Sequence, residues 1–136
     1  MFKINRDGSG FQVIHAFGSV PDDGGMTPYA TDHALALGTD HFLYGTTYTA
    51  NAGFGAVFKL AQDGSSHQII HNFDFSQGDR LPVAGVIQAA NGALYGTTSS
   101  GAVFKLNTDG SGYTVLTNAG GPISAALLEG RDGTRP

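Results

Sequence analysis

The sequence has no cysteine and no tryptophan, and only seven of its 136 residues are lysine or arginine. The missing cysteines exclude a disulfide framework, a thiolate metal site and a cysteine nucleophile. The few cations stand singly in a chain of net charge −4. No basic stripe is available to release counterions from a phosphate backbone, so a nucleic-acid partner is not expected. Apolar runs stay well short of the roughly 18 residues of a membrane-crossing helix, and no charged-then-apolar leader is seen, so neither a membrane partner nor a signal peptide is expected. Catalytic strings are scarce as well: no EF-hand loop, HExxH helix, P-loop or GxSxG elbow occurs.

Glycine, by contrast, is abundant: 21 of 136 residues, about double the ordinary usage of roughly 7%. Charged residues make up only 13% and the aromatics are Phe and Tyr. This composition fits many short strands joined by tight turns, with no long helix.

The order within the chain is repetitive. Met1-Phe2-Lys3-Ile4 returns as Val57-Phe58-Lys59-Leu60 and again as Val103-Phe104-Lys105-Leu106. Each is followed by an Asp-Gly turn (Asp7-Gly8, Asp63-Gly64, Asp109-Gly110) and a second apolar run: Phe11 to Phe17, His67 to Phe73, Tyr113 to Ala119. Asp-Gly between alternating runs is a hairpin signal, because glycine supplies the positive φ the turn needs. A second pair of runs precedes each of the later hairpins. Ala34-Leu35-Ala36-Leu37 leads through Asp40-His41 to Leu43-Tyr44-Gly45-Thr46-Thr47, and Gly85-Val86-Ile87-Gln88 leads through Asn91-Gly92 to Leu94-Tyr95-Gly96-Thr97-Thr98. A last run, Ala126-Leu127-Leu128-Glu129, stands alone. A period of roughly 45 residues with four strands and no helical segment predicts an all-β propeller of four-stranded antiparallel blades; a β-helix is the weaker alternative.

The strings Asp/Asn-Gly-x-Leu-Tyr-Gly-Thr-Thr, Gly-Ala-Val-Phe-Lys-Leu and Asp-Gly-Ser-Gly resemble the GloVer repeat of bacterial tandem-repeat proteins, over essentially the whole chain, and more broadly the NHL-like propeller pattern. The resemblance implies architecture and a bacterial secreted or cell-surface setting, and little about activity. By that pattern the repeat has an innermost first strand, a Leu-Tyr second strand, a third strand and an outer fourth.

Residues 1–136 then form one repeat domain. Residues 1–33 supply third and fourth strands and a long loop, 34–84 a second repeat, 85–125 a third, and 126–136 a terminal first strand. About three blades per chain are too few for a ring, since complete propellers have at least four. Exposed strand edges favour closure by a further copy. The first expectation is a six-bladed homodimer, with a trimer or other homo-oligomer, or a segment of a longer repeat protein, as alternatives.

In a propeller, ligands usually meet the face that carries the connections from fourth to first and from second to third strands. The longest irregular segment, Gly18 to Ala34, belongs there, and long loops in compact domains are commonly functional. Asp22, Asp23 and Asp32 from this segment, with Asn72 and Asp74 from the next equivalent loop, are candidate oxygen ligands for Ca²⁺. His33, beside Asp32, is then the candidate general base for a metal-bound water. Asp7, Asp63 and Asp109 read as turn formers, the recurrent His15 and His71 as scaffold, and Tyr44, Tyr95 and the Thr pairs as packing between blades. Two functions follow. One is a repeat module presenting its loop face to a small-molecule, carbohydrate or protein ligand, with no cofactor required; the other is a Ca²⁺-dependent hydrolase of lactones or esters, an analogy that fold alone supports weakly.

Overall fold

The computed structural model describes residues 2–14, 35–47, 54–73 and 81–118. Among them every regular element is a strand, and the fold is all-β. The strands are β1 (Phe2–Lys3), β2 (Gln12–Val13), β3 (Ala36–Leu37), β4 (Phe42–Thr47), β5 (Ala56–Ala61), β6 (His67–Asn72), β7 (Ile87–Gln88), β8 (Leu94–Thr97), β9 (Ala102–Leu106) and β10 (Thr114–Asn118). β1 and β2 pair as a hairpin, while β3-β4-β5-β6 and β7-β8-β9-β10 form two four-stranded antiparallel sheets in sequential order. The strands lie where the repeated strings place them. Among the described residues the first hairpin is the shortest and stands as a two-stranded sheet, without the flanking strands of its counterparts β5-β6 and β9-β10.

The register explains why the repeated strings contain the residues they do. Gly45 of β4 lies opposite Phe58 of β5, and Gly96 of β8 lies opposite Phe104 of β9. A Cβ at Gly45 would stand 2.6 Å from the Phe58 ring, and one at Gly96 would collide with the Phe104 ring. The glycine of Leu-Tyr-Gly-Thr-Thr therefore vacates the space that the aromatic of Val-Phe-Lys fills, a cross-strand fit between two distant parts of the repeat.

Side chains alternate across each sheet. From β5, Phe58 and Leu60 point toward the hairpin and join Ile14, with Leu43 and Ile69 against them. Val57 points the other way and shares a core with Tyr44, Phe73, Val86, Leu94, Phe104 and Leu106, which spans both four-stranded sheets. The sheets thus stack face to face in chain order. At roughly 25 cal/mol per Å² of apolar surface buried, these two interlayers are the main stabilising term.

Polar bonds fix the stacking. The buried Thr46 hydroxyl donates to the Ala84 carbonyl at 2.9 Å, and the Thr39 N–H donates to Oε1 of Gln88 at 2.8 Å. β3 and β7, the first strands of their sheets, are neighbours.

Sequential antiparallel order sorts the connections by end. The β3-β4 and β5-β6 turns of one sheet, with β7-β8 and β9-β10 of the next, leave from one end, here the turn end. The β4-β5 and β8-β9 connections and the passage from β6 to β7 leave from the other, the loop end.

Candidate functional site

At the loop end the backbone is strained at one residue. Leu81 has φ 60°, in the left-handed region, where a bulky side chain is disfavoured by about 1–2 kcal/mol. Bonds on both sides hold it. Its N–H donates to the Phe54 carbonyl at 2.9 Å, and its carbonyl accepts from the Ser99 N–H at 2.9 Å. Leu81 therefore ties the start of β5 to the β8-β9 turn, joining the two sheets where their loops emerge. Pro82 and Thr98 form an isolated bridge, and the Val83 N–H donates to the Thr97 carbonyl at 3.2 Å. Gly55, at φ 90°, lets the chain pass Pro82, since a Cβ there would lie 2.5 Å from the proline ring.

Around this clamp the described polar side chains are hydroxyls and amides. The Thr98 and Ser100 hydroxyls are 2.9 Å apart, and the Ala102 N–H donates to Oγ1 of Thr98 at 3.2 Å. The hydroxyl of Thr47, at the end of β4, is buried without a hydrogen-bond partner, a placement that ordinarily costs about 1–3 kcal/mol. Asn72 ends β6 and Asn118 ends β10, and both are exposed. Of these groups the half-buried Ser100 and the exposed Asn72 and Asn118 can donate and accept hydrogen bonds to a neutral polar ligand.

Ionisable groups gather at the turn end instead. Asp40 accepts from the Tyr44 hydroxyl at 2.6 Å and from the Phe42 N–H at 3.2 Å, and pairs with the Lys59 ammonium at 3.3 Å. Lys59 also lies 4.2 Å above the Phe42 ring. Burial raises the Asp40 carboxyl, but the Tyr44, Phe42 and Lys59 contacts outweigh it and hold the group below the ordinary carboxylate value. Tyr44 is pushed far up, first by burial and then by its bond to Asp40. The network is internally satisfied, and its counterpart in the next sheet is neutral, with Asn91 donating to the Tyr95 hydroxyl at 2.9 Å. His41, where that next sheet has Gly92, takes φ 68°.

The three Asp-Gly turns behave as the sequence reading expects. Asp7, Asp63 and Asp109 each accept the backbone N–H of the serine two residues on, at 2.9 Å, and the side-chain bond from that serine first, then this backbone bond, lowers their carboxyls. His71 stacks on Tyr113 at 3.8 Å and meets Phe73 edge-on at 4.9 Å, a packing role. Tyr44, Tyr95, Thr46, Thr47, Thr97 and Thr98 are all buried; Tyr44 joins the core between the two sheets, while Tyr95 packs with Ala89 and Ala93 of its own sheet.

Of the candidate Ca²⁺ and catalytic residues, Asp22, Asp23, Asp32, His33 and Asp74 lie outside the described residues, as does His15. Asn72 is described and sits at the loop end, opposite Ala56 in register. Its amide oxygen could supply one neutral ligand. Among the described residues no three His, Asp or Glu side chains come together to hold a metal ion. Leu81 and Ser100 carry no sequence signal, whereas Thr98 closes the repeated Leu-Tyr-Gly-Thr-Thr string. The Asp40-Tyr44 pair also carries one, because the spacing recurs in Asn91-Tyr95. Comparison with known family models, curated proteins and solved structures gives no match.

Proposed function

We propose that this chain is a non-catalytic β-propeller repeat module whose loop end binds an uncharged, hydroxyl-bearing ligand of the carbohydrate class. The observation that carries this reading is Leu81. A left-handed leucine bonded on both sides, at the point where two sheets join, is a conformation that the fold maintains against its intrinsic cost, and such strain concentrates at ligand sites. Rigid sheets with connections gathered at one end are also the usual platform for recognition. The half-buried hydroxyl of Ser100, which the buried Thr98 hydroxyl holds at 2.9 Å, and the exposed amide of Asn72 match a ligand recognised by neutral hydrogen bonds. The Asp40-Lys59 ion pair sits at the other end, bonded to Tyr44 within its own sheet.

Thermal melting against a panel of neutral oligosaccharides, with Ca²⁺ and with EDTA, tests the reading. A saturable rise in Tm with at least one saccharide, indifferent to EDTA, is expected. Ser100→Ala and Asn72→Ala should each weaken that binding about 3- to 10-fold, the worth of one hydrogen bond of roughly 0.5–1.5 kcal/mol. Stabilisation by Ca²⁺ together with hydrolysis of a lactone or ester would replace the module by the Ca²⁺-dependent hydrolase built on Asp22, Asp23, Asp32 and His33. A panel without any shift would overturn the carbohydrate assignment.

A further inference from the structure

Among the described residues one contact between layers occurs twice, and both of its halves stand open a third time. The β5-β6 turn sets Gly64 so close to the carbonyl of Ile14 that a Cβ could not fit. The β9-β10 turn sets Gly110 in the same way against the carbonyl of Ile70. Ile14 and Ile70 hold the same repeat position, three residues after Phe11 and His67. Ile70 is the extra residue of a bulge in β6, which lies between Ile69, opposite Phe58, and His71, opposite Val57. Glycine against the carbonyl at this repeat position is thus how each four-stranded sheet meets the outer strand of the layer before it, and in β6 that carbonyl belongs to a bulge.

The third members of both series are Gly8 and Leu116. Nothing lies within 4 Å of a Cβ built at Gly8. Leu116 is the bulged residue of β10, between Val115 and Thr117, and is 48% exposed. The apolar side chains beside these points agree. Phe58, Leu60, Phe104 and Leu106 are fully buried against the preceding layer, whereas Phe2 and Ile4, at the same repeat positions, are 60% and 51% exposed.

We propose that Phe2, Ile4 and Gly8 of one copy dock on the Leu116 face of β10 in a second copy, making a head-to-tail interface. The occupant follows from the molecule itself. The open hairpin carries the same string and turn as the two elements already docked in this way, and the open strand carries the same bulge as the one already covered. A second copy supplies both missing halves, and a two-fold arrangement would use the contact twice and close. This interface stands apart from the ligand reading, since it lies on the sheet faces and not at the loop end.

Light scattering over a concentration series, on the chain and on Phe2→Asp and Leu116→Asp variants, tests it. The unaltered chain should show a mass that is a multiple of 14.0 kDa. Each variant alone, folded by circular dichroism, should associate at least tenfold more weakly. An equimolar mixture should recover a species of two chains, because one variant retains an intact hairpin and the other an intact β10 face. Phe2→Leu and Leu116→Ile should assemble like the unaltered chain. A monomer at all concentrations overturns the proposal. So does full assembly of either Asp variant, or a mixture that fails to pair. None of these outcomes bears on saccharide binding, which the thermal panel reads separately.

Discussion

The glycines of the Asp-Gly turns separate two demands that are often confounded. Gly8, Gly64 and Gly110 share the left-handed backbone, with φ of 87°, 78° and 88°. Only the last two also need the missing side chain, because the Ile14 and Ile70 carbonyls occupy its place. An alanine at Gly8 should therefore bear the backbone cost alone, about 1–2 kcal/mol. At Gly64 the overlap with a fixed carbonyl adds to it, typically about 1–3 kcal/mol for overpacking. Urea unfolding at a concentration where the chain is monomeric should find Gly64→Ala about 2–4 kcal/mol less stable, with Gly8→Ala clearly milder. Equal effects would mean that the carbonyl contact yields and that φ alone sets the requirement. The same scale explains Leu81, where no glycine is present to relieve a positive φ and two backbone bonds hold the conformation.

Strand-level patterns made most of the fold legible. Alternating runs and Asp-Gly turns mark β5-β6 and β9-β10, and the Leu-Tyr-Gly-Thr string marks β4 and β8, because period and turn chemistry are local properties. What the sequence could not reveal depends on partners in space. The bulges at Ile70 and Leu116 come from a register that both strands set together, and the clamp at Leu81 depends on carbonyls and amides from two sheets. The candidate site was less legible still. Of its polar residues, Thr98 reads from the repeat as packing and Ser100 as an ordinary turn, and five of the six residues chosen from loop composition lie outside the described residues. The Asp40-Tyr44-Lys59 network occupies the intermediate case, being visible as a recurrent spacing but readable as ionic only once Lys59 is placed on β5. Tyr44 is raised by burial first and by Asp40 second. A raised folded value means that its contribution is complete below the unfolded value near pH 10 and is lost as pH climbs beyond it. Tyr44→Phe should therefore cost about 1–2 kcal/mol at pH 7, by removing a bond to a carboxylate. It should also flatten the alkaline fall in stability measured by unfolding from pH 8 to 12. A variant with an unchanged alkaline limb would show that Tyr44 does not drive it.

At the scale of the whole molecule, the stacked sheets make stability depend on neighbours. The β3-β6 sheet buries one face against the layer before and the other against the layer after, as Phe58 with Ile14 and Val57 with Leu94 illustrate. A layer with an open face lacks part of that stabilisation, which fits the two-residue strands of the β1-β2 hairpin. Docking of a second copy supplies it, and association that favours the folded state makes Tm rise with protein concentration. At a concentration about 100 times the dissociation constant the gain is about 2.7 kcal/mol. For a domain of this size that corresponds to a rise of several degrees. Calorimetry from micromolar to near-millimolar chain should show that rise for the unaltered protein, and a flat Tm for Leu116→Asp. If both melt at concentration-independent temperatures, the open faces contribute nothing to stability in solution, and the hairpin must be held by contacts within its own chain.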